Sequence, residues 1–304
     1  MIAAIRSPAN CALIVVCFAL LSPLPARSGD AGDPTAVHFA LPGTLFPDQP
    51  EQTRRLAGKA YQNLMQSRLG LPVEAMLVAN ATTVADRLDR GEAQLGVFQG
   101  FEFAWAKVKH PDLQPLVVAV PYHEIRVCLV VRADSRAESL ADLGSDKVAI
   151  PAGTRDYVRL FLDKLRSAEP ANGHEVEIVK PADADDALED VIDGKLSGAL
   201  VTHASLASFQ DLKPGRYSRL KVLARSETFP FAVVAYKKGA VDPSLLKRCC
   251  DGLSGAEKDG RACVPLRLMR LKGFAPVPAD YSERLDDILR AYPPPNDGKS
   301  GLGE

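Results

Sequence analysis

The chain has 304 residues, a formal net charge of −1 and a composition that is 46% hydrophobic and 25% charged. This is the composition of an ordinary globular protein, and the near-neutral charge argues against nucleic acid or an anionic membrane surface as a partner. Residues 1–28 are predicted to be a cleaved signal peptide, because Arg6 precedes an apolar run and Ala26-Arg27-Ser28 has small residues at the cleavage positions. Pro23 and Pro25 break the run, which argues against a membrane-spanning helix.

Two parts of the sequence then show the same order of elements. A buried strand leads into Gly43-Thr44, and a helix at residues 84–90 is followed by a glycine and another buried strand. The order returns with Gly153-Thr154 and a helix at residues 184–192. A helix followed by a glycine and a strand is a common pattern, so either occurrence alone would mean little. Together they predict two similar α/β lobes, with a ligand beyond the carboxyl ends of the strands.

The remaining elements follow from hydrophobic periodicity. Lobe one is predicted to contain strands at residues 37–41, 73–78, 94–98 and 113–120 and helices at 51–67 and 84–90. Lobe two is predicted to contain strands at 148–150, 176–179 and 199–201 and helices at 154–166 and 184–192. A strand at 125–131 leads into lobe two, and strands at 220–224 and 231–236 return the chain to lobe one. A last helix is expected to start at Asp280, with Glu283 completing a capping box.

These elements predict an order of segments along the chain. We expect an exported chain that begins at Gly29 and is soluble in the periplasm. Lobe one is assigned to residues 37–122, lobe two to 123–226, the return to lobe one to 227–291 and a disordered tail to 292–304. Two crossings between lobes predict a hinge that closes around a ligand.

The cysteines of the exported chain suggest a structural role. Cys128 falls in an apolar strand and is expected to be a buried free thiol. Cys249 and Cys250 fall on a helix opened by Asp242-Pro243, and Cys263 on the next helical stretch. In an oxidising compartment either Cys249 or Cys250 can form a disulfide with Cys263. A vicinal pair can also bind a soft metal, but no further Cys or His stands at the required spacing, so no metal site is predicted.

Motifs for catalysis are absent from the sequence. The chain contains no Gly-x-Ser-x-Gly, no phosphate-binding P-loop, no His-Glu-x-x-His and no Cys-x-x-Cys. No cofactor and no enzymatic activity are therefore predicted.

Several ordered segments resemble one family. They are Val131-Arg132-Ala133-Asp134-Ser135, Ser139-Leu140-Ala141-Asp142-Leu143-Gly144, Gly91-Glu92-Ala93-Gln94-Leu95-Gly96-Val97-Phe98 and Lys272-Gly273-Phe274. Together they are similar to phosphate/phosphite/phosphonate-type periplasmic binding proteins over residues 37–292. The resemblance implies a type II periplasmic binding protein fold, with two α/β lobes joined by a two-crossing hinge. It also implies a small oxyanion-bearing solute and an ABC permease in the inner membrane as partners, and we expect a monomer.

The resemblance differs at the turn that opens the second-lobe helix. The family holds phosphonate oxygens there with Ser-Thr-Ser-Gly-Tyr, whereas this chain has Gly153-Thr154-Arg155-Asp156-Tyr157 and keeps only the Thr and the Tyr. Thr154 is expected to be the N-cap of the helix, and Arg155 to offer a charged fork to an oxyanion. Asp156 would repel an anion, which makes an amine-bearing or zwitterionic solute a further possibility.

Eight residues are predicted to surround the ligand, because each follows a strand or lies where the chain crosses between lobes. They are Thr44, Gln99, Gly100, Tyr122, Thr154, Arg155, Thr202 and His203. Helix N-termini carry unpaired N–H groups and partial positive charge, which suits an anion. Gln99 and Gly100 are expected to let ligand and backbone approach each other. Thr154 can instead serve only as a helix cap, and His203 only as a hydrogen-bonded scaffold residue.

Three functions fit these observations. The first is a transport protein that captures a solute for an ABC importer. The second is a periplasmic sensor module that signals to a membrane receptor. The third is a secreted enzyme on the same scaffold, for which the sequence shows no catalytic constellation.

Overall fold

The computed structural model describes residues 36–144, 146–168, 176–254, 266 and 270–295. All of them belong to the unit Pro34–Glu304. The predicted signal peptide at residues 1–28 and Cys263 lie outside the described residues, as does most of the predicted tail.

The first sheet holds six of the described strands, in the order β11-β4-β10-β3-β1-β2. Strands β1 and β2 are parallel neighbours, as are β1 and β3, whereas β10 runs antiparallel to both β3 and β4. The bounds are β1 Val37–Pro42, β2 Val73–Val78, β3 Leu95–Phe98, β4 Leu113–Pro121, β10 Val233–Lys237 and β11 Leu271–Pro276. Because β1, β2 and β3 are parallel, their carboxyl ends lie along one edge of the sheet.

Helices cover both faces of this sheet. Alternate residues of β1 point to opposite faces, so Phe39 packs in the cluster of helices α1 and α8, and Ala40 packs in the cluster of α2, α3 and α9. The bounds are α1 Glu51–Leu69, α2 Ala81–Asp89, α3 Gly100–Lys109, α8 Pro243–Leu253 and α9 Tyr281–Ala291. Within the described helices, none combines the length and the apolar character needed to cross a bilayer.

Local signals account for the ends of several helices. Gly70 ends α1 in the left-handed conformation, with φ 59°. The predicted start of the second helix at residue 84 is wrong, because the Asn80 side chain caps the helix by accepting from the Thr83 N–H at 3.0 Å. The predicted capping box of the last helix is also wrong. The Asp280 carboxylate accepts from Arg284 Nε at 2.9 Å and does not cap the helix.

The second sheet, as described, has the order β7-β6-β8-β5-β9. Helices α5 and α6 pack on one face of it, and α4 packs on the other. The bounds are β5 Val127–Arg132, β6 Lys147–Ala149, β7 Glu177–Val179, β8 Gly198–Thr202, β9 Leu220–Arg225, α4 Tyr157–Ala168, α5 Ala184–Ile192, α6 His203–Leu212 and α7 Pro214–Tyr217. The prediction that residues 220–224 return to lobe one is wrong, because β9 pairs antiparallel with β5 and completes the second sheet.

The chain crosses between the sheets twice, from β4 to β5 and from β9 back to β10. The two-lobed α/β architecture with two crossings is thus confirmed. We call the lobe built on the first sheet lobe one and the lobe built on the second sheet lobe two.

An aromatic cluster lies at the second crossing. Phe229 is 1% exposed, and its ring centroid lies 6.1 Å from that of Phe101 in lobe one and 5.3 Å from that of Tyr157 in lobe two. Tyr292 stacks on Phe229 at 4.9 Å, and its backbone oxygen accepts a hydrogen bond from Trp105 at 2.8 Å. The predicted tail therefore does not begin at residue 292, because Tyr292 is buried in this cluster.

Candidate functional site

The lobe-one side of the site is built around Glu102. Thr44 follows β1 in a short 3₁₀ turn, and its hydroxyl donates to Glu102 Oε1 at 2.7 Å. The backbone N–H of Gln99 donates to Glu102 Oε2 at 3.0 Å. Two predicted site residues, Thr44 and Gln99, are thus brought together by a carboxyl group that the sequence analysis did not select. The sequence did contain a signal for Glu102, the capping-box spacing. Gln99 and Glu102 stand three residues apart at the point where β3 ends and α3 begins.

Glu102 is an unusual carboxyl group because it is only 5% exposed. Burial raises the pKa of Glu102 to about 7, although the hydrogen bonds from Thr44 and Gln99 oppose this shift. Two groups of lobe two also act on it, since Asp156 raises its pKa and Arg155 lowers it. Glu102 is therefore a titratable group of lobe one that interacts electrostatically with the lobe-two turn.

The side-chain amide nitrogen of Gln99 is unsatisfied, although its side chain also takes part in the capping box of α3. Gln99 is 4% exposed, and its Nε2 is buried without a hydrogen-bond partner among the described residues. A buried amide without partners costs free energy, and such groups in native proteins call for an explanation. A ligand oxygen close to Gln99 would supply the missing acceptor.

Gly100 is required for packing of the chain, which differs from its predicted role. A Cβ atom at this position would lie 2.2 Å from the carbonyl oxygen of Pro230 and 2.5 Å from its carbonyl carbon. Pro230 belongs to the second crossing. The absent side chain of Gly100 thus makes room for the backbone of Pro230, and its approach to a ligand stays a prediction.

The lobe-two turn lies between β6 and α4. Helix α4 begins at Tyr157, and the hydroxyl of Thr154 donates to the carbonyl oxygen of Pro151. The prediction that Thr154 is the N-cap is therefore wrong. The left-handed Gly153, with φ 70°, delays the start of the helix. The Thr154 hydroxyl stabilises the turn instead.

Arg155 is a cation without a counterion. It is partly exposed, and its guanidinium group forms no hydrogen bond or ion pair within the part of the chain that the structure describes, whereas its backbone carbonyl accepts from the Val158 N–H at 3.0 Å. Its neighbour Asp156 has a pKa raised mainly by burial, which Arg159 and Arg155 oppose. The turn thus presents a free guanidinium group beside a carboxyl that resists ionisation.

One residue of lobe one reaches this turn directly. Asp48 Oδ2 accepts from the Gly153 N–H at 2.9 Å, and Oδ1 accepts from Lys180 Nζ at 2.9 Å. Asp48 itself has a left-handed φ of 58°, a conformation that is uncommon outside glycine and marks strained or functional positions. Asp48 and Lys180 were not among the eight residues predicted from the sequence.

The other predicted residues lie around β8 and the first crossing. Thr202 caps α6 by accepting from the Ser205 N–H at 3.1 Å. The His203 ring lies 6.3 Å from that of His123, and the backbone N–H of His203 donates to the carbonyl oxygen of Arg126 at 2.8 Å. Tyr122 is 49% exposed. No hydrogen bond or ion pair between described residues joins these residues to Thr44, Gln99 or Arg155, so the structure does not gather all eight into one contact network.

A separate open depression of about 630 Å³ lies between the crossings and α9. Glu124, Glu227 and Arg284 are among its lining residues, and none of the eight predicted site residues lines it. It shares no lining residue with the group formed by Thr44, Gln99, Glu102 and Arg155.

The cysteines are described only in part. Cys128 is buried, as predicted. Cys249 is also fully buried, which raises its pKa to about 12, and Cys250 Sγ lies 3.8 Å from the carbonyl oxygen of Leu116. Both are free thiols in the described part of the chain, and Cys263 lies outside it, so the disulfide stays a prediction. No group of three or more metal-ligating side chains occurs among the residues that could be searched.

Comparison with protein families decides the assignment. The model of a family described as periplasmic substrate-binding proteins of phosphonate ABC transporters matches residues 44–281. The chain belongs to this family. The predicted resemblance is thus confirmed, and the protein is a periplasmic substrate-binding protein with a small-molecule ligand and an inner-membrane permease as the partners of its family. A comparison with curated proteins found no match.

Solved structures share the fold. A Xanthomonas citri protein bound to chloride ion has a TM-score of 0.61 at 18% identity, with 84% of this chain and 97% of that chain covered. A binding protein component of an ABC phosphonate transporter from Pseudomonas aeruginosa has a TM-score of 0.54 at 13% identity, with 85% and 88% covered. PhnD1 from Prochlorococcus marinus, in complex with methylphosphonate, has a TM-score of 0.54 at 13% identity, with 85% of this chain and 98% of that chain covered. The chain accordingly has the type II periplasmic binding protein fold.

Proposed function

We propose that this substrate-binding protein captures a small oxyanion-bearing solute of the phosphonate or phosphate kind between its lobes and delivers it to an ABC importer. Its family membership supports the general role. PhnD1, which shares the fold, was solved in complex with methylphosphonate, and this makes methylphosphonate the first probe.

The free guanidinium of Arg155 is the observation that carries the proposal. It stands on the turn before α4, interacts electrostatically with Glu102 across the lobes and has no acidic partner within 4 Å among the described residues. Guanidinium groups match the planar edge of two oxyanion oxygens and form strong charge-assisted hydrogen bonds with them. The unsatisfied amide of Gln99 offers a second donor on the opposite wall.

A thermal-shift panel of phosphate, phosphite, methylphosphonate, methanesulfonate and amino acids tests the solute class. A ligand at about 100 times its dissociation constant should stabilise the fold by about 2.7 kcal/mol, which is readily measured. Calorimetry then compares the wild type with Arg155→Ala. We expect the variant to bind the same solute roughly 10- to 100-fold more weakly, since a charge-assisted hydrogen bond contributes about 1.5–3 kcal/mol.

Arg136→Ala is the matched control, because Arg136 is an exposed arginine after β5. It should bind solute like the wild type. Equal affinity in all three proteins would contradict the proposed site. Deletion of the gene should also abolish uptake of the solute by the cell, whereas a purely sensory module would leave uptake intact.

A further inference from the structure

Glu102 places a buried carboxyl group in the wall that is proposed to receive an anion. Its two oxygens accept hydrogen bonds only from neutral donors, the Thr44 hydroxyl and the Gln99 N–H. It forms no ion pair with any described residue. The described charged groups that act on it are Arg155 and Asp156 of lobe two, which are of opposite sign.

An ionised Glu102 would repel a bound oxyanion. Such repulsion is strong where water is excluded, because charges interact more strongly at low effective dielectric. Two acidic groups that share a buried site avoid the repulsion by holding one proton between them. The proton can belong to the solute or to Glu102, but one proton must be present.

We propose that Glu102 makes this site select for an oxyanion that carries an exchangeable hydrogen, such as a hydrogen phosphonate, so that one proton lies between the carboxyl group and the solute. This inference rests on the proposed function and adds the protonation state of the solute to it. A solute that brings its own hydrogen donates it to the ionised Glu102. A sulfonate has no such hydrogen and binds only when Glu102 supplies the proton.

The neighbouring groups are consistent with this division of roles. The Gln99 amide and the Arg155 guanidinium are donors, and both can bind the oxygens of a phosphonate and of a sulfonate equally well. Of the lobe-one groups Thr44, Gln99 and Glu102, Glu102 is the one whose ionisation distinguishes the two anions. Because burial raises the pKa of Glu102 to about 7, its proton is present in mildly acidic solution and absent in mildly alkaline solution.

Methylphosphonate and methanesulfonate are the matched probes, since both are methyl groups on a tetrahedral oxyanion. Calorimetry in buffers of different ionisation enthalpy measures their affinity and the protons taken up, about one pH unit below and about one unit above the pKa of Glu102. For the wild type we expect the affinity for methanesulfonate to fall about tenfold from the lower to the higher pH. At the higher pH, the protein should take up about one proton when methanesulfonate binds. The affinity for methylphosphonate should fall less over the same range, because a fraction of the methylphosphonate still carries its own exchangeable hydrogen at the higher pH.

Glu102→Gln separates this effect from general electrostatics. Glutamine keeps an acceptor for the Gln99 N–H, and its NH2 group, which needs no added proton, can donate to the Thr44 hydroxyl oxygen and to the solute. In this variant methanesulfonate should bind equally at both pH values without proton uptake, and the preference for methylphosphonate at the higher pH should be lost. Glu283→Gln, at an exposed position in the first turn of α9, should behave like the wild type.

The outcomes are distinct. Binding of methanesulfonate by the wild type with no pH dependence and no proton uptake would overturn the inference while leaving the proposed function standing, and this measurement needs no variant. A Glu102→Gln protein that folds and retains the pH-dependent preference would overturn it as well. Absence of binding for both probes at both pH values would instead overturn the proposed function, and the inference with it.

Discussion

The carboxylate of Asp48 in lobe one accepts a hydrogen bond from the backbone N–H of Gly153 in lobe two, at 2.9 Å. Its second oxygen binds Lys180 of lobe two. A carboxylate of the protein itself thus binds an N–H group of the turn that carries Thr154 and Arg155. The hydrogen bond from Lys180, followed by that from Gly153, lowers the pKa of Asp48, so the contact is present at neutral pH and is lost only as the pH falls through this lowered value.

The first prediction is that Asp48→Asn opens the solute-free protein. Asparagine tolerates the left-handed backbone of residue 48, so the backbone is retained while the charge that binds Lys180 is removed. Small-angle scattering without solute should report a larger radius of gyration than for the wild type. Stability should change by less than about 1 kcal/mol, because both members of the ion pair are partly exposed.

Asp190→Asn is the control for this experiment. It removes an ion pair of similar exposure, Asp190 with Lys195, that lies wholly within lobe two. The radius of gyration should remain that of the wild type. An identical radius for Asp48→Asn would show that the Asp48 contact does not hold the lobes together.

The second prediction concerns the pH dependence of stability. The pKa of Glu102 rises from 4.5 to about 7 on folding, so the folded state binds its proton more tightly than the unfolded state. Its contribution is therefore fully favourable below the unfolded value and declines as the pH rises through the folded value, by about 3 kcal/mol in all. Glu102→Gln should lack this decline. Denaturant unfolding of the two proteins between these limits is the measurement, and parallel pH profiles would contradict the prediction.

The third prediction is that Gly100→Ala destabilises the protein. The new methyl group would meet the backbone of Pro230, which has little freedom to move between β9 and β10. Overpacking of this kind costs about 1–3 kcal/mol or more. Gly215→Ala is the control, because no atom lies within 4 Å of its added Cβ and its helix is exposed. Thermal melting should separate the two variants, and equal melting temperatures would show that the crossing adapts.

The fourth prediction is that Tyr292→Phe weakens the second crossing. The Tyr292 hydroxyl donates to Glu227 Oε2 at 2.6 Å, and Lys164 of lobe two binds the other oxygen of Glu227. Phenylalanine keeps the stacking on Phe229 and removes only the hydrogen bond, at a cost of about 1 kcal/mol. Tyr236→Phe should change stability little, because its hydroxyl has no described hydrogen bond. Chemical unfolding that gives the same loss for both variants would refute this role.

Elements with a complete local signal were predicted well. The strand at 73–78 was predicted with its observed bounds, because its composition and flanking turn residues are local. The helix at 184–192 was also predicted in full, since Asp183 provides the cap by accepting from the Asp186 N–H at 2.9 Å. In contrast, only the end of α3 was predicted, where Lys107, Lys109 and His110 were interpreted as a solvated helix end, and its beginning was not. Its first turns are apolar nearly all round and buried, so no amphipathic stripe reveals the helical period.

The site was predicted less completely than the fold. Thr44 and Gln99 were selected because they follow strands, and position along a strand is visible in the sequence. Glu102 was passed over because its importance comes from burial, which depends on the whole lobe. Asp48 and Gly153 are separated by 105 residues, so no local pattern reports their contact. The same limit explains β9, whose pattern predicts a strand but does not specify its partner β5.

The strand order of the first sheet also dictates when lobe one can form. In the described sheet β4 pairs only with β10 and β11, and both follow the whole of lobe two in the chain. Lobe two, by contrast, is a single continuous stretch and can form its pairings as soon as it has been synthesised. Until the ribosome has added the residues of β10, the edge of β3 lacks its neighbour and β4 has none, and such distant pairings form slowly. The polypeptide must therefore be synthesised through Val233–Lys237 before the first sheet can join its two halves, although the second sheet can already have formed.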